Sequence, residues 1–114
     1  MKILGIGVDI EDISRFKSKP YEVNTKFYET IFTKKEIQNC LEKKYPYQHF
    51  AARFCAKEAF IKASNEKLVD YTSIEIENIG KKPVIKRGNY EIFLSISHEK
   101  DKAIAFVIIL SKER

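Results

Sequence analysis

Residues 48–64, Gln48-His49-Phe50-Ala51-Ala52-Arg53-Phe54-Cys55-Ala56-Lys57-Glu58-Ala59-Phe60-Ile61-Lys62-Ala63-Ser64, are rich in alanine and contain no Gly or Pro, which predicts a long helix. The helix is apolar nearly all the way round, so other elements must cover it on several sides. In a chain of 114 residues, 44% hydrophobic and 32% charged, this leaves room for one compact domain over residues 1–114. Charged residues interrupt its apolar arcs. At about 100° per residue, Glu58 projects between Phe54 and Ala51, Lys62 lies one turn on beside Cys55, and Lys57 falls between Phe50 and Phe60. A lone buried carboxylate is costly enough to take up a proton, so Glu58 requires a partner, either Lys62 at i+4 or a cation.

The N-terminal segment has a different period. Residues 2–10 alternate by two, with Leu4, Ile6, Val8 and Ile10 on one face and Ile3, Gly5, Gly7 and Asp9 on the other. The missing side chains of Gly5 and Gly7 let another backbone or a ligand come close to the Asp9 face. Asp9 reads either as the N-cap of a following helix or as half of a carboxylate pair offering the hard oxygens that suit Mg²⁺. Glu11 and Asp12 suit a helix start, which Ile13 and Phe16 continue to the breaker Lys19-Pro20.

A second helical stretch spans Asn24 to Phe32. Thr33-Lys34-Lys35-Glu36 then reads as a capping box opening a third helix through Ile37, Cys40 and Leu41, which Tyr45-Pro46-Tyr47 ends. Residues 73–79, 83–86, 90–97 and 103–110 are short segments rich in Ile, Val and Phe, the last two joined by a polar turn at 98–102. The predicted class is α+β, a small antiparallel sheet packed with helices.

The chain carries 21 Lys and Arg against 16 Asp and Glu, a formal charge of +5, which predicts attraction to nucleic acid, nucleotide phosphate or an acidic protein. No RNP-like, zinc-finger or KH pattern is present, which counts against a nucleic-acid module. Met1-Lys2-Ile3-Leu4 lacks a signal-peptide core, and no run approaches the ~20 apolar residues of a membrane span, so a cytoplasmic protein is expected. Cys40 and Cys55 have no CxxC spacing and read as reduced thiols. Ser95-Ile96-Ser97-His98 ends a strand at a turn. Neighbouring strand residues face opposite ways, so His98 reads as a phosphate ligand or a plain turn histidine rather than as the base for Ser97.

Three segments taken together narrow these readings. Gly7-Val8-Asp9-Ile10-Glu11-Asp12-Ile13-Ser14-Arg15, Phe54-Cys55-Ala56-Lys57-Glu58-Ala59-Phe60-Ile61-Lys62-Ala63 and Leu94-Ser95-Ile96-Ser97-His98 resemble, in order and spacing, the three motifs of the holo-acyl-carrier-protein synthases, small members of the 4'-phosphopantetheinyl transferase superfamily. Ile31-Phe32-Thr33 with Glu36 and Cys40 is similar to that family's third-helix opening, and Lys82-Pro83 resembles its Gly-Lys-Pro turn.

The resemblance implies a compact α+β protomer and a homotrimer with active sites between protomers. It implies transfer of the 4'-phosphopantetheine arm of coenzyme A to a serine of apo acyl carrier protein, in support of fatty acid biosynthesis. Asp9 and Glu58 become the Mg²⁺ ligands and Lys62 the pyrophosphate partner. Glu58 would help accept the serine proton, directly or through a bound water. Lys57, Pro83 and His98 become coenzyme A contacts, and Arg15 and Arg53 dock the acidic carrier. One segment departs from the family pattern: relatives carry a Gly-rich loop where this chain has 63–71, Ala63-Ser64-Asn65-Glu66-Lys67-Leu68-Val69-Asp70-Tyr71. Ser64 or Lys67 side chains would there replace backbone contacts to the nucleotide.

Overall fold

The computed structural model describes residues 2–67 and 69–111. Leu68, within the glycine-poor loop, lies outside the described residues. The strand β1 runs Ile3–Asp12, followed by helices α1 (Ser14–Lys17), α2 (Thr25–Ile31), α3 (Lys34–Leu41) and α4 (Pro46–Ser64), then strands β2 (Ile76–Ile79), β3 (Lys82–Ile85), β4 (Tyr90–Glu99) and β5 (Lys102–Ser111). The α+β class holds, with the strands divided between two sheets. β1, β5 and β4 form an antiparallel sheet in that order, while β2 and β3 pair separately as a hairpin. The sheet predicted from C-terminal segments therefore recruits the N-terminal strand and releases its first two members.

Helix α4 lies across the inner face of the larger sheet, and the two glycines on that face explain how. A Cβ on Gly5 would stand 2.9 Å from the Ala63 carbonyl carbon, and one on Gly7 would stand 2.8 Å from the Ala63 nitrogen. Both would also overlap carbonyl oxygens of α4, those of Ala63 and Ala59 respectively. The helix backbone thus occupies the space where side chains would be. Pro46, expected to end the preceding helix, instead opens α4, where its missing N–H costs nothing.

Because α4 is apolar all round, it feeds two clusters. Phe16, Tyr28, Phe32, Phe50 and Phe54 pack on one side, and Phe60, Ile74, Val107 and Ile109 pack toward the sheet. Aromatic contacts order the first cluster, with Tyr28 and Phe50 centroids 4.7 Å apart and Phe16 edge-on to Phe54 at 5.7 Å. The Thr33–Glu36 capping box forms as predicted and starts α3. The outer face of the larger sheet stays exposed although Ile6, Val8, Ile10, Phe93, Ile104 and Phe106 line it. No helix among the described residues is long and apolar enough to cross a membrane.

Candidate active site

The strand register determines which side chains can meet. Asp9 pairs with Ala105 and Glu11 with Ala103, both buried beneath α4, so Asp9 and Glu11 share the inner face with Gly5 and Gly7. Asp9 is not a helix cap: it sits inside β1, and the N-cap position of the short helix after it is Ile13, with no side-chain cap. The strand also runs two residues past its expected end. Glu11 therefore points the same way as Asp9 rather than filling the first turn of a helix, while Asp12 lies on the opposite, exposed face.

The close approach of α4 to Gly7 brings the helix charges to this edge. Lys62 bridges from helix to strand, donating to Asp9 Oδ1 at 3.1 Å and to the Val8 carbonyl at 3.0 Å. Glu58 is held by a different partner from the one expected at i+4. The Tyr71 hydroxyl donates to its Oε1 at 2.8 Å, from the 3₁₀ turn Tyr71–Ser73. Asp9, Glu11 and Glu58 each offer an oxygen within 4.8 Å of the others, an arrangement that a divalent cation can occupy. Asp9 Oδ2 is buried with no hydrogen-bond partner among the described residues, and the Asp9 side chain is only 10% exposed. A hard cation would satisfy that oxygen, so the donor set fits a metal.

Glu11 is the residue that sequence reasoning assigned to another role. Burial, and then the neighbouring Asp9 carboxylate, pushes its pKa up to about 7, partly offset by Arg15. Arg15 Nη1 donates to Glu11 Oε1 at 3.2 Å and its guanidinium lies 4.9 Å from the Phe54 ring centroid. Continued alternation past Ile10 was the available signal.

The structure places Lys57 away from the coenzyme A contact expected of it. Its side chain is 0% exposed and its ammonium donates to Glu36 Oε1 at 2.7 Å, the Ile31 carbonyl at 2.8 Å and the Tyr71 carbonyl at 2.9 Å. Three protein oxygens take all three donors of the ammonium and leave none for a ligand. Burial lowers the Lys57 pKa, and the Glu36 carboxylate partly restores it. Glu36 completes the knot, accepting from the backbone N–H groups of Thr33 and Ile76.

Arg53 is likewise not a surface docking group. It is 5% exposed and donates to Asn39 Oδ1 at 3.2 Å and to Cys40 Sγ at 3.3 Å. It lines a cavity of about 360 Å³ together with His49, Pro83, Lys81 and His98. Pro83 and His98 thus line one cavity, and His98 Nδ1 lies 2.8 Å from Gln48 Nε2. In the departing loop, Ser64 Oγ is engaged locally by the Ile61 carbonyl and the Glu66 N–H.

The candidate site residues therefore fall on two flanks of α4. Glu11, Ala103 and His98 are aligned across β1, β5 and β4, which sets the Glu11 and His98 backbones about 10 Å apart, with α4 packed along β1 and β5.

A sequence profile described as the 4'-phosphopantetheinyl transferase superfamily matches residues 5–107. The chain belongs to this superfamily. Among curated relatives of this transferase family, the holo-[acyl-carrier-protein] synthase of Geotalea daltonii is 40% identical, covering 94% of this chain and 98% of its own. That of Thermodesulfovibrio yellowstonii is 41% identical with the same coverage, 94% and 98%. The fold agrees with a crystal structure of a holo-(acyl-carrier-protein) synthase from Bacillus anthracis in complex with CoA (3',5'-ADP), at a TM-score of 0.84, 34% identity and coverage of 98% and 100%. The transferase from Neisseria meningitidis also superposes at 0.84, with 28% identity over 96% of this chain and 99% of that one.

Proposed function

We propose that the protein transfers the 4'-phosphopantetheine group of coenzyme A to a serine hydroxyl of an apo acyl carrier protein, releasing adenosine 3',5'-bisphosphate, in the cytoplasm and in support of fatty acid biosynthesis. The observation that carries this reading is the meeting of Asp9, Glu58 and Lys62 at one edge of the sheet in a chain of this superfamily.

Phosphoryl transfer depends chiefly on holding the reactants and on neutralising charge as it moves to the leaving phosphate. Asp9 and Glu58 would hold Mg²⁺, which when bound supplies that neutralisation at the pyrophosphate. The Lys62 side chain is 55% exposed, so its ammonium can leave Asp9 for a pyrophosphate oxygen and stabilise the departing phosphate. Glu58, oriented through Oε1 by Tyr71, would help accept the serine proton, directly or through a bound water. Arg15, half exposed at the rim of this edge, faces the acidic carrier, and the net charge of +5 steers encounter.

The Pro83 and His98 cavity takes the nucleotide end of coenzyme A. α4 lies between it and the carboxylates, and a second protomer supplying one of the two would let one coenzyme A span both. A homotrimer packed through the exposed apolar sheet face would do this and would cover Ile6, Val8, Ile10, Ile104 and Phe106. Chromatography of reaction mixtures tests the chemistry: adenosine 3',5'-bisphosphate should accumulate only when apo carrier is present. Release at the same rate without carrier, or none with it, contradicts the reading.

A further inference from the structure

We infer that His49 takes up a proton when a phosphate of the coenzyme A nucleotide enters the cavity lined by Pro83 and His98, so that coenzyme A binding is coupled to proton uptake at a side chain about two and a half helical turns from Glu58. This rests on the reading that the cavity takes the nucleotide end of coenzyme A, and it adds a titrating group and a pH dependence to that reading.

The walls of this cavity carry charge of one sign. Lys43, Arg53 and Lys81 are cations, His49 and His98 are the other titratable groups, and no lining residue is acidic. They come from every element around the cavity: α4 supplies His49 and Arg53, the segment between α3 and α4 supplies Lys43, the turn of the β2–β3 hairpin supplies Lys81, and β4 supplies His98. Arg53 donates to Cys40 and Asn39, and its Nε is buried with no partner among the described residues. Glu36, which lines a smaller cavity with Arg53, is taken up by Lys57. Three cations with no acid beside them in the cavity suit a multiply charged anion, and a phosphate monoester carries about −1.5 to −2 at pH 7.

His49 is the group in this wall whose charge such an anion changes. It is partly buried at the end of the first turn of α4, near the positive end of the helix dipole and one turn before Arg53. Burial, and then the Arg53, Lys43 and His98 neighbours, hold its pKa below the ordinary histidine value, so the free ring is uncharged near neutral pH. A phosphate among those cations offsets their repulsion and gives an imidazolium N–H an acceptor, which raises the pKa again. His98 is less able to respond. Gln48 Nε2 lies 2.8 Å from its Nδ1, and a carboxamide nitrogen only donates, so Nδ1 accepts there and a proton on it would break that bond. A histidine whose pKa is higher in the complex than in the free protein binds its ligand most tightly below the free value. Affinity then falls as pH rises toward the bound value and levels off above it.

The test is proton NMR and calorimetry of the full-length protein with adenosine 3',5'-bisphosphate as the probe. The chain has 2 histidines, so His98→Gln leaves one ring and assigns the signal of His49. In the wild type the His49 midpoint should lie below the ordinary histidine value and rise by about one pH unit or more once the bisphosphate saturates the cavity, which corresponds to about a tenfold change in affinity across that interval. Calorimetry in buffers of different ionisation heat should show more proton uptake by the wild type than by His49→Gln, the probe's own ionisation being common to both. An unmoved His49 midpoint in the saturated wild type, or equal uptake by wild type and His49→Gln, would overturn the inference and leave the assignment of the cavity standing. No binding of the bisphosphate would contradict that assignment and the inference with it. The NMR titration uses the unaltered His49, so it decides the question even if His49→Gln fails to fold.

Discussion

Gly7 of β1 and Ala59 of α4 meet backbone to backbone, so closely that a Cβ on Gly7 would overlap the Ala59 carbonyl oxygen. This contact sets the distance between the strand that carries Asp9 and the helix that carries Glu58 and Lys62. Gly7→Ala must push α4 away from β1. The expected result is a loss of about 1–3 kcal/mol in urea unfolding, the usual range for an overpacked core, together with a fall in transfer rate as Lys62 and Asp9 separate. Unchanged stability and rate would mean that the helix and strand can spread without consequence.

Lys57 and Glu36 form a fully buried pair, and removing one member leaves the other uncompensated. Lys57→Ala should destabilise the protein by about 3–5 kcal/mol in denaturant titration. Its effect on the coenzyme A KM of the molecules that remain folded should be small, because the ammonium is fully engaged by protein oxygens. A raised KM with unaltered stability would return Lys57 to ligand binding.

These residues also mark where sequence reading succeeds and where it stops. The period of two placed Asp9 beside Gly5 and Gly7, the capping box located α3, and the composition of 48–64 announced a helix covered on several sides. Those are local signals. Lys57 lies 21 positions from Glu36, and Glu58 lies 13 from Tyr71, so neither partner is visible from spacing within one helix. Glu58 and Lys62 stand at i+4 and seemed matched, yet Lys62 reaches β1 because the glycine contact brings Asp9 nearer. Glu11 was lost to an ambiguity, since acidic residues at a strand end look the same as those that open a helix. Arg53 matches a carrier-docking position by family resemblance alone, and α3 covers it with Asn39 and Cys40.

Glu58→Gln removes a negative charge and the proton acceptor while keeping the side chain's shape and its bond from Tyr71. Turnover should fall by about a hundredfold or more with little change in thermal unfolding. A normal rate would leave Glu58 as a structural acceptor for Tyr71.

Arg15→Ala should raise the KM for carrier protein well above any change in the KM for coenzyme A. The wild-type preference should shrink as salt rises, since exposed charges are screened. Equal changes in both KM values would remove Arg15 from carrier docking.

Both thiols are buried and free, and burial pushes the pKa of each up to about 12. At pH 8 almost no thiolate is present, so a disulfide reagent should label Cys40 and Cys55 only as fast as the protein opens. Rapid labelling of the folded protein would show that one of these sites is accessible.

The most direct measurement is the mass of an apo acyl carrier protein incubated with the protein, coenzyme A and Mg²⁺. A phosphopantetheine adduct should form, disappear when EDTA is present, and return when Mg²⁺ is restored in excess. No adduct, or one that EDTA leaves undiminished, would contradict a transferase that works through the carboxylates of Asp9 and Glu58.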